Sequence, residues 1–272
     1  MIKRTSTLLN LGIVFLLTFI FLHACTFNVA KNPDNSPSKS QYILKEVIDG
    51  DTIRLEDGRL IRYMGINTPE KGQNFYQEAK DLNLKLLKES SLPLELDIVK
   101  KDQYDRSLAY VYVGDSFINL KLIEAGLAFC FSDSSNKNNR AMFRYAQQEA
   151  QKMELGMWKK SPHSLSILSV QYDAIGDDES NINGEWVSIK NIGKRSVQLQ
   201  GFAVQDESHH RFVFPKRVLG PGDEVSLFSG KGTHDTMSLF WGSDKPIWNN
   251  QGDTVFLFDD EGRLIDSWFW ET

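Results

Sequence analysis

The chain has 272 residues, with 31 Lys+Arg, 36 Asp+Glu and two Cys. A hydrophobic share of 41% with 11% aromatics is enough for real cores, so wholesale disorder is excluded, and the length fits two modest domains or one large one. The net charge of −5 argues against a generally basic nucleic-acid coat; two Cys exclude a disulfide scaffold or a four-Cys zinc site; and no apolar run of about 18 residues follows Cys25, which excludes a polytopic membrane protein.

The N-terminus reads as an address. Lys3 and Arg4 precede an apolar stretch at residues 8–22, and Leu22-His23-Ala24-Cys25 follows. A charged start, an apolar middle and a small residue before a break mark an export signal. The Leu-x-Ala-Cys ending resembles a bacterial lipoprotein signal. That resemblance implies a signal peptide over 1–24 and lipidation of Cys25, which would anchor the protein to a membrane on the cell envelope. An uncleaved anchor helix and an ordinary secretory peptide remain open. A lipidated Cys25 leaves Cys130 without an intrachain partner, and Cys130 is read as a buried thiol in the apolar run Leu127–Phe131. Residues 25–40, polar and holding Pro33, Pro37 and three Ser, read as a flexible tether.

Charge is unevenly spread. Residues 1–40 carry +3, residues 41–164 carry 18 basic and 18 acidic groups, and residues 165–272 carry −8. The last segment repels a phosphate backbone, so nucleic-acid chemistry is expected in the middle one.

Over 41–160 the elements alternate short strands and helices. Tyr42–Ile48 and Thr52–Leu55 are strand-like and split by Asp49-Gly50-Asp51; Glu56-Asp57-Gly58 signals a hairpin. Arg59–Ile66 alternates until Pro69 stops it. Phe75, Ala79, Leu82 and Leu86 line one helix face. Leu94–Lys100 and Leu108–Val113 are further strands. Asn119–Ala125 is predicted as a short helix with Asn119 as cap and Gly126 as stop. Met142, Phe143, Ala146, Ala150 and Met153 give a third helix, closed by Gly156. Five strands with a few helices and no βαβ rhythm predict a small Greek-key barrel.

The polar residues carry the chemistry. Asp51 opens a strand after a Gly, Asn67 and Glu70 flank a Thr-Pro break, Arg62 faces away from its apolar neighbours, and Arg106 follows Asp-Gln-Tyr-Asp in a turn. Carboxylate, amide and carbonyl oxygens suit a hard cation such as calcium. Two guanidinium groups suit a phosphate, and a spare carboxylate can position or deprotonate water. Each feature also has a plainer reading: a turn at Asp-Gly-Asp, a helix N-cap at Asn67, surface ion pairs for the arginines.

Taken together, Val47-Ile48-Asp49-Gly50-Asp51-Thr52, Ile61-Arg62, Gly65-Ile66-Asn67-Thr68-Pro69-Glu70, Asp105-Arg106-Ser107-Leu108-Ala109-Tyr110 and Leu155-Gly156-Met157-Trp158 closely resemble the staphylococcal nuclease (thermonuclease) family over about 120 residues. The resemblance implies an OB-fold, five-stranded barrel with three helices over 41–160. It implies calcium-dependent cleavage of DNA and RNA by a phosphodiesterase-type endonuclease, leaving 3′-phosphate ends. By it Asp51, Asn67 and the Thr68 carbonyl are metal ligands, Glu70 is the general base or water-orienting group, Arg62 and Arg106 hold the phosphate, and Tyr104 contacts substrate. The family often has Asp where this chain has Asn67. Losing that charge is expected to weaken calcium binding by ~1–3 kcal/mol.

Beyond residue 165 the chain turns to short strands: Glu185–Asn191, Gly201–Val204, Arg211–Phe214, Val225–Phe228, Thr254–Phe258 and Leu264–Trp268, separated by Gly-rich turns. They predict a β-sandwich. Five Trp in this half suggest either a carbohydrate platform or core packing. His209-His210 reads as loop, and Asp259-Asp260-Glu261-Gly262 as a charged hairpin turn. Gly184-Glu185-Trp186, Leu219-Gly220-Pro221-Gly222-Asp223 and Trp248-Asn249-Asn250-Gln251-Gly252-Asp253 resemble the lamin-tail domain over roughly 166–271, which implies an immunoglobulin-like sandwich used for attachment or recruitment, its partner unknown. The whole is thus expected to be mainly β, a monomer, and exported as an anchored or secreted nuclease. The alternative is a catalytically weak or inactive surface protein that binds nucleic acid or serves adhesion.

Overall fold

The computed structural model describes residues 42–88, 93–131 and 137–271. The signal, the tether and Cys25 lie outside them.

Strands β1 (Leu44–Val47), β2 (Thr52–Leu55) and β3 (Leu60–Tyr63) form an antiparallel meander. A two-residue strand, β4 (Ile66–Asn67), leads to helix α1 (Tyr76–Lys88). β5 (Leu94–Lys101) and β6 (Ser107–Val113) follow; β6 lies parallel to β3 and antiparallel to β5. The order β1-β2-β3-β6-β5 is joined end to end by a bridge between Tyr42 and Leu94, which closes the barrel. β7 (Ser116–Phe117) pairs with β6, α2 (Ile118–Glu124) and β8 (Phe129–Cys130) come next, and α3 (Lys137–Lys152) completes this half. β8 pairs with β4. Inward residues Ile53, Leu55, Ile61, Tyr63, Val111, Ile118, Leu122 and Phe143 fill the core. Cys130 is buried as expected, and desolvation pushes its thiol up to about 12.

Asn119 is not a helix cap. The position before α2 is Phe117, with no side-chain cap. Asn119 is instead fully buried, where it accepts the Val111 N–H (3.0 Å) and donates to the Met64 carbonyl (2.9 Å). A local cap motif lost to a tertiary role: the Asn119 side chain pairs two barrel backbone groups.

The second half has two four-stranded sheets. One runs in the order β16 (Ser238–Phe240), β15 (Glu224–Phe228), β10 (Trp186–Asn191), β9 (Leu165–Gln171). The other runs β13 (Arg211–Val213), β12 (Ala203–Gln205), β17 (Gly252–Phe258), β18 (Leu264–Glu271). A small ribbon of β11 (Val197–Gln198) and β14 (Val218–Leu219) stands beside them. Val187, Ile189, Phe202, Val204, Leu227, Val255 and Leu257 fill the space between the sheets. Three of the five Trp belong to this packing: the Trp241 and Trp248 rings lie 5.7 Å apart, Trp248 and Trp270 6.2 Å, and Tyr172 stacks on Trp270 at 4.5 Å. Asp259 forms the expected hairpin turn, accepting the Glu261 and Arg263 N–H groups and pairing with the Arg263 side chain.

The barrel half and the sandwich share a third apolar core. Phe129, Ala150, Met157 and Trp158 pack against Phe256 and Phe258 of β17. Phe129 meets Trp158 edge-on at 5.5 Å and Phe256 at 5.0 Å. Around these rings Arg140 pairs with Glu271 (2.8 Å), Arg144 sits 4.0 Å over Phe269, and the Asn74 amide donates to the Asp260 carbonyl (3.1 Å). The two halves therefore form one compact unit.

Candidate active site

The Asp49-Gly50-Asp51 turn sets the floor of the site. Asp49 Oδ1 accepts the Asp51 N–H (3.1 Å), and the Ile48 N–H bonds to the Thr52 carbonyl (2.9 Å). Gly50 is required by a close approach: a Cβ there would stand 2.6 Å from Thr68 Oγ1 and 2.8 Å from Ala79 Cβ. Buried Asn83 of α1 braces the turn, donating to the Asp49 carbonyl (3.1 Å) and accepting from Tyr63 Oη (2.8 Å). Burial and the adjacent Asp51 push the Asp49 carboxyl up to about 6.

Asp51, 5% exposed, is held from two sides. Oδ2 accepts the Thr68 N–H (2.7 Å) and Thr68 Oγ1 (2.9 Å); Oδ1 lies 3.3 Å from Arg62 Nε. Arg62 follows from strand alternation: Ile61 and Tyr63 point into the core, so Arg62 points the other way. Its Nη1 donates to the carbonyls of Tyr63 (2.7 Å) and Ile66 (2.8 Å), and Nη2 donates to Asn67 Oδ1. The guanidinium plane is thus fixed by its own barrel.

Glu70 stands at the rim with a side chain 64% exposed. A turn holds its backbone: its N–H donates to Gln73 Oε1 (3.0 Å), and the Gln73 N–H donates to its carbonyl (2.9 Å). His209 of the sandwich places Nδ1 3.3 Å from Glu70 Oε1. That bond, and then the more distant charges of Arg62 and Arg106, hold the Glu70 carboxyl below its ordinary value against the opposing effect of burial. Both arginines therefore lie in electrostatic reach of Glu70.

Arg106 precedes β6, in a turn built around Asp102. Asp102 Oδ1 accepts the N–H groups of Tyr104 (2.9 Å) and Arg106 (3.0 Å), and Oδ2 accepts Arg106 Nε (2.7 Å). Arg106 is 30% exposed and lies 5.5 Å from the centroid of the Tyr104 ring, itself 70% exposed. Asp51, Arg62, Asn67 and Thr68 thus form one bonded cluster, and Glu70 feels the charges of both Arg62 and Arg106.

The oxygens here are of the kind a hard divalent cation takes: the Asp51 carboxylate and the carbonyl oxygens of Asn67 and Thr68. They fit such an ion in type, with little anionic charge. Among the described residues no three His, Cys, Asp or Glu side chains gather as a metal-binding group.

Sequence reading missed the sandwich's share. The Asn67 amide donates to the Glu207 carbonyl (2.6 Å), and His209 reaches Glu70. Residues 206–210 do form a loop, as the His-His pair suggested, but the loop ends on the site. The acidic half was expected to stay away from this chemistry, and one of its turns borders it. No local pattern signals a contact made across 140 residues.

Similarity to known proteins agrees with this geometry. The family model of staphylococcal nuclease homologues matches residues 60–160, and that of the lamin tail domain matches residues 159–272. The thermonuclease of Staphylococcus intermedius is 34% identical over 167 residues, 58% of this chain and 99% of that protein. The thermonuclease of Staphylococcus hyicus is 32% identical over 54% of this chain and 95% of its own length. Endonuclease YncB of Bacillus subtilis is 33% identical over 51% of this chain and 74% of its own length. The chain belongs to the staphylococcal nuclease homologue family, with a lamin tail domain following its nuclease barrel.

Proposed function

We propose that the protein is an exported, calcium-dependent nuclease that hydrolyses phosphodiester bonds of DNA and RNA and leaves 3′-phosphate ends. The observation that carries this reading is a pre-fixed guanidinium, Arg62, bonded into a buried oxygen cluster, with its charge felt by an exposed carboxylate, Glu70. Arg62 and Arg106 would hold the phosphate and take up charge as the pentacoordinate state forms. Glu70, ionised and open to solvent, would accept the proton of the attacking water. Tyr104 would lie against substrate. Asp51 and the carbonyl oxygens of Asn67 and Thr68 would hold the calcium. Its charge would offset that of the phosphoryl oxygens.

We further assign residues 1–24 to a signal peptide, 25–40 to a tether, 41–160 to the nuclease domain and 166–271 to the lamin-tail-like domain. Lipidated Cys25 would tether the enzyme to the envelope, where the sandwich would recruit it to a surface or substrate. The test is digestion of single-stranded DNA, duplex DNA and RNA by the purified chain, with calcium, magnesium or chelator. Glu70→Ala and Arg106→Ala should remain folded and lose about 10²-fold in rate or more. Loss below a few-fold removes these residues from the chemistry. No cleavage by the wild-type chain under any condition leaves a nucleic-acid-binding or adhesion protein.

A further inference from the structure

The turn between β12 and β13 is tightly built. Asp206 is fully buried; it accepts the His210 N–H (2.7 Å) and pairs with the His210 ring (2.6 Å). The Glu207 N–H donates to Asp253 Oδ1 (3.2 Å), and Glu207 Oε1 accepts from Thr254 Oγ1 (2.7 Å). His209 sits at φ +71°, in the left-handed region that few non-glycine residues adopt. In that conformation its ring stands against Phe129, centroids 6.1 Å apart, with Nδ1 3.3 Å from Glu70 Oε1.

Burial separates the two partners. The His209 side chain is 11% exposed and that of Glu70 64%. The imidazole reaches the carboxylate from the protein side and leaves its outer face to solvent. The same turn holds Asn67 through the Glu207 carbonyl. Beneath it lies the shared core of Phe129, Trp158, Phe256 and Phe258, and an interface with such a core is a fixed one, unlike a lid.

We infer that His209 is a positioning residue for phosphodiester cleavage: the sandwich supplies it to hold the Glu70 carboxylate in one orientation, so the complete site is made by both halves. The inference rests on the nuclease reading above. An exposed glutamate samples several rotamers, and fixing it during the reaction costs conformational entropy. A ring already locked by packing removes that cost in advance.

The test uses the full chain with calcium and single-stranded DNA. His209→Gly removes the ring and suits the left-handed backbone, so the fold is kept; thermal unfolding checks this. We expect kcat to fall about tenfold, with KM within twofold of wild type. His209→Gln, which keeps a donor, should recover part of the loss. In a Glu70→Gln background, His209→Gly should cost nothing more, because the partner it positions is gone. The ring Nδ1 resonance of His209 should shift in Glu70→Gln. An unchanged or increased kcat in His209→Gly, or a full further loss in the double variant, overturns the inference and leaves the nuclease reading intact. Absence of cleavage by the wild-type chain overturns both.

Discussion

At the scale of single residues, Asn67 shows what an amide does that a carboxylate cannot. Its oxygen accepts from Arg62 while its nitrogen donates to the Glu207 carbonyl at 2.6 Å. An Asp there would set an acceptor against an acceptor inside the interface. Asn67→Asp should therefore lower stability in chelator by about 1–3 kcal/mol, the cost of an unmet buried polar group. Added calcium should raise the unfolding midpoint of the variant more than that of wild type, since the new carboxylate would favour the ion. Thermal unfolding with and without calcium checks both effects. A variant as stable as wild type in chelator would show that the bond to Glu207 contributes nothing. Neither partner was legible in the sequence, and nothing near Asn67 names a carbonyl 140 residues away.

At the scale of elements, alternation and helical periodicity located most strands and all three helices. Boundaries moved by a few residues. The strand expected over Arg59–Ile66 resolves into β3 and β4, the second of which pairs with β8. Strands β7, β8, β9, β11, β14 and β16 were not foreseen, all but β9 being too short to show a period. Asn119 was misread because a polar residue before an apolar run looks like a cap wherever its side chain points. Its true role gives a sharp expectation. Asn119→Ala leaves the Val111 N–H and the Met64 carbonyl unpaired in the core, and should destabilise by about 3 kcal/mol in urea unfolding. Loss of only a few tenths would fit a cap or a surface residue.

At the scale of the whole molecule, charge is concentrated where the halves meet. Asp253 is buried beside Asp206 and Glu207, and burial, followed by those two charges, pushes its carboxyl up to about 7. In the unfolded chain an Asp releases its proton near 3.8. Between these values the folded state binds the extra proton, so stability falls as pH rises from about 4 to about 7. His210 has the same sign. Its bond to Asp206 raises its pKa, so its stabilisation is full below about 6.5 and is lost as pH rises further. Unfolding free energy should therefore decline by a few kcal/mol between about pH 5 and 8, at roughly 1.4 kcal/mol per unit shift. Asp253→Asn should flatten the lower part of that curve. Denaturant titrations at several pH values measure the slope; a flat wild-type curve would place the Asp253 carboxyl near its ordinary value.

The sequence alone determined the mainly β class of each half and most of its strands, and the family resemblance supplied the candidate residues of the cluster. The elements follow from local rules: side chains alternate along strands, and turns need Gly, Asp and Asn. It also placed Asp51, Arg62, Asn67, Thr68 and Glu70 near one another, since one hairpin and one turn carry them all. Tertiary structure decided the rest. Packing of Phe129 and Trp158 against Phe256 and Phe258 brings the β12–β13 turn onto the site, and only then do His209 and the Glu207 carbonyl acquire partners. The physical reason is that apolar contacts between distant segments are non-directional, and side-chain spacing within either half holds no record of the partner they will meet.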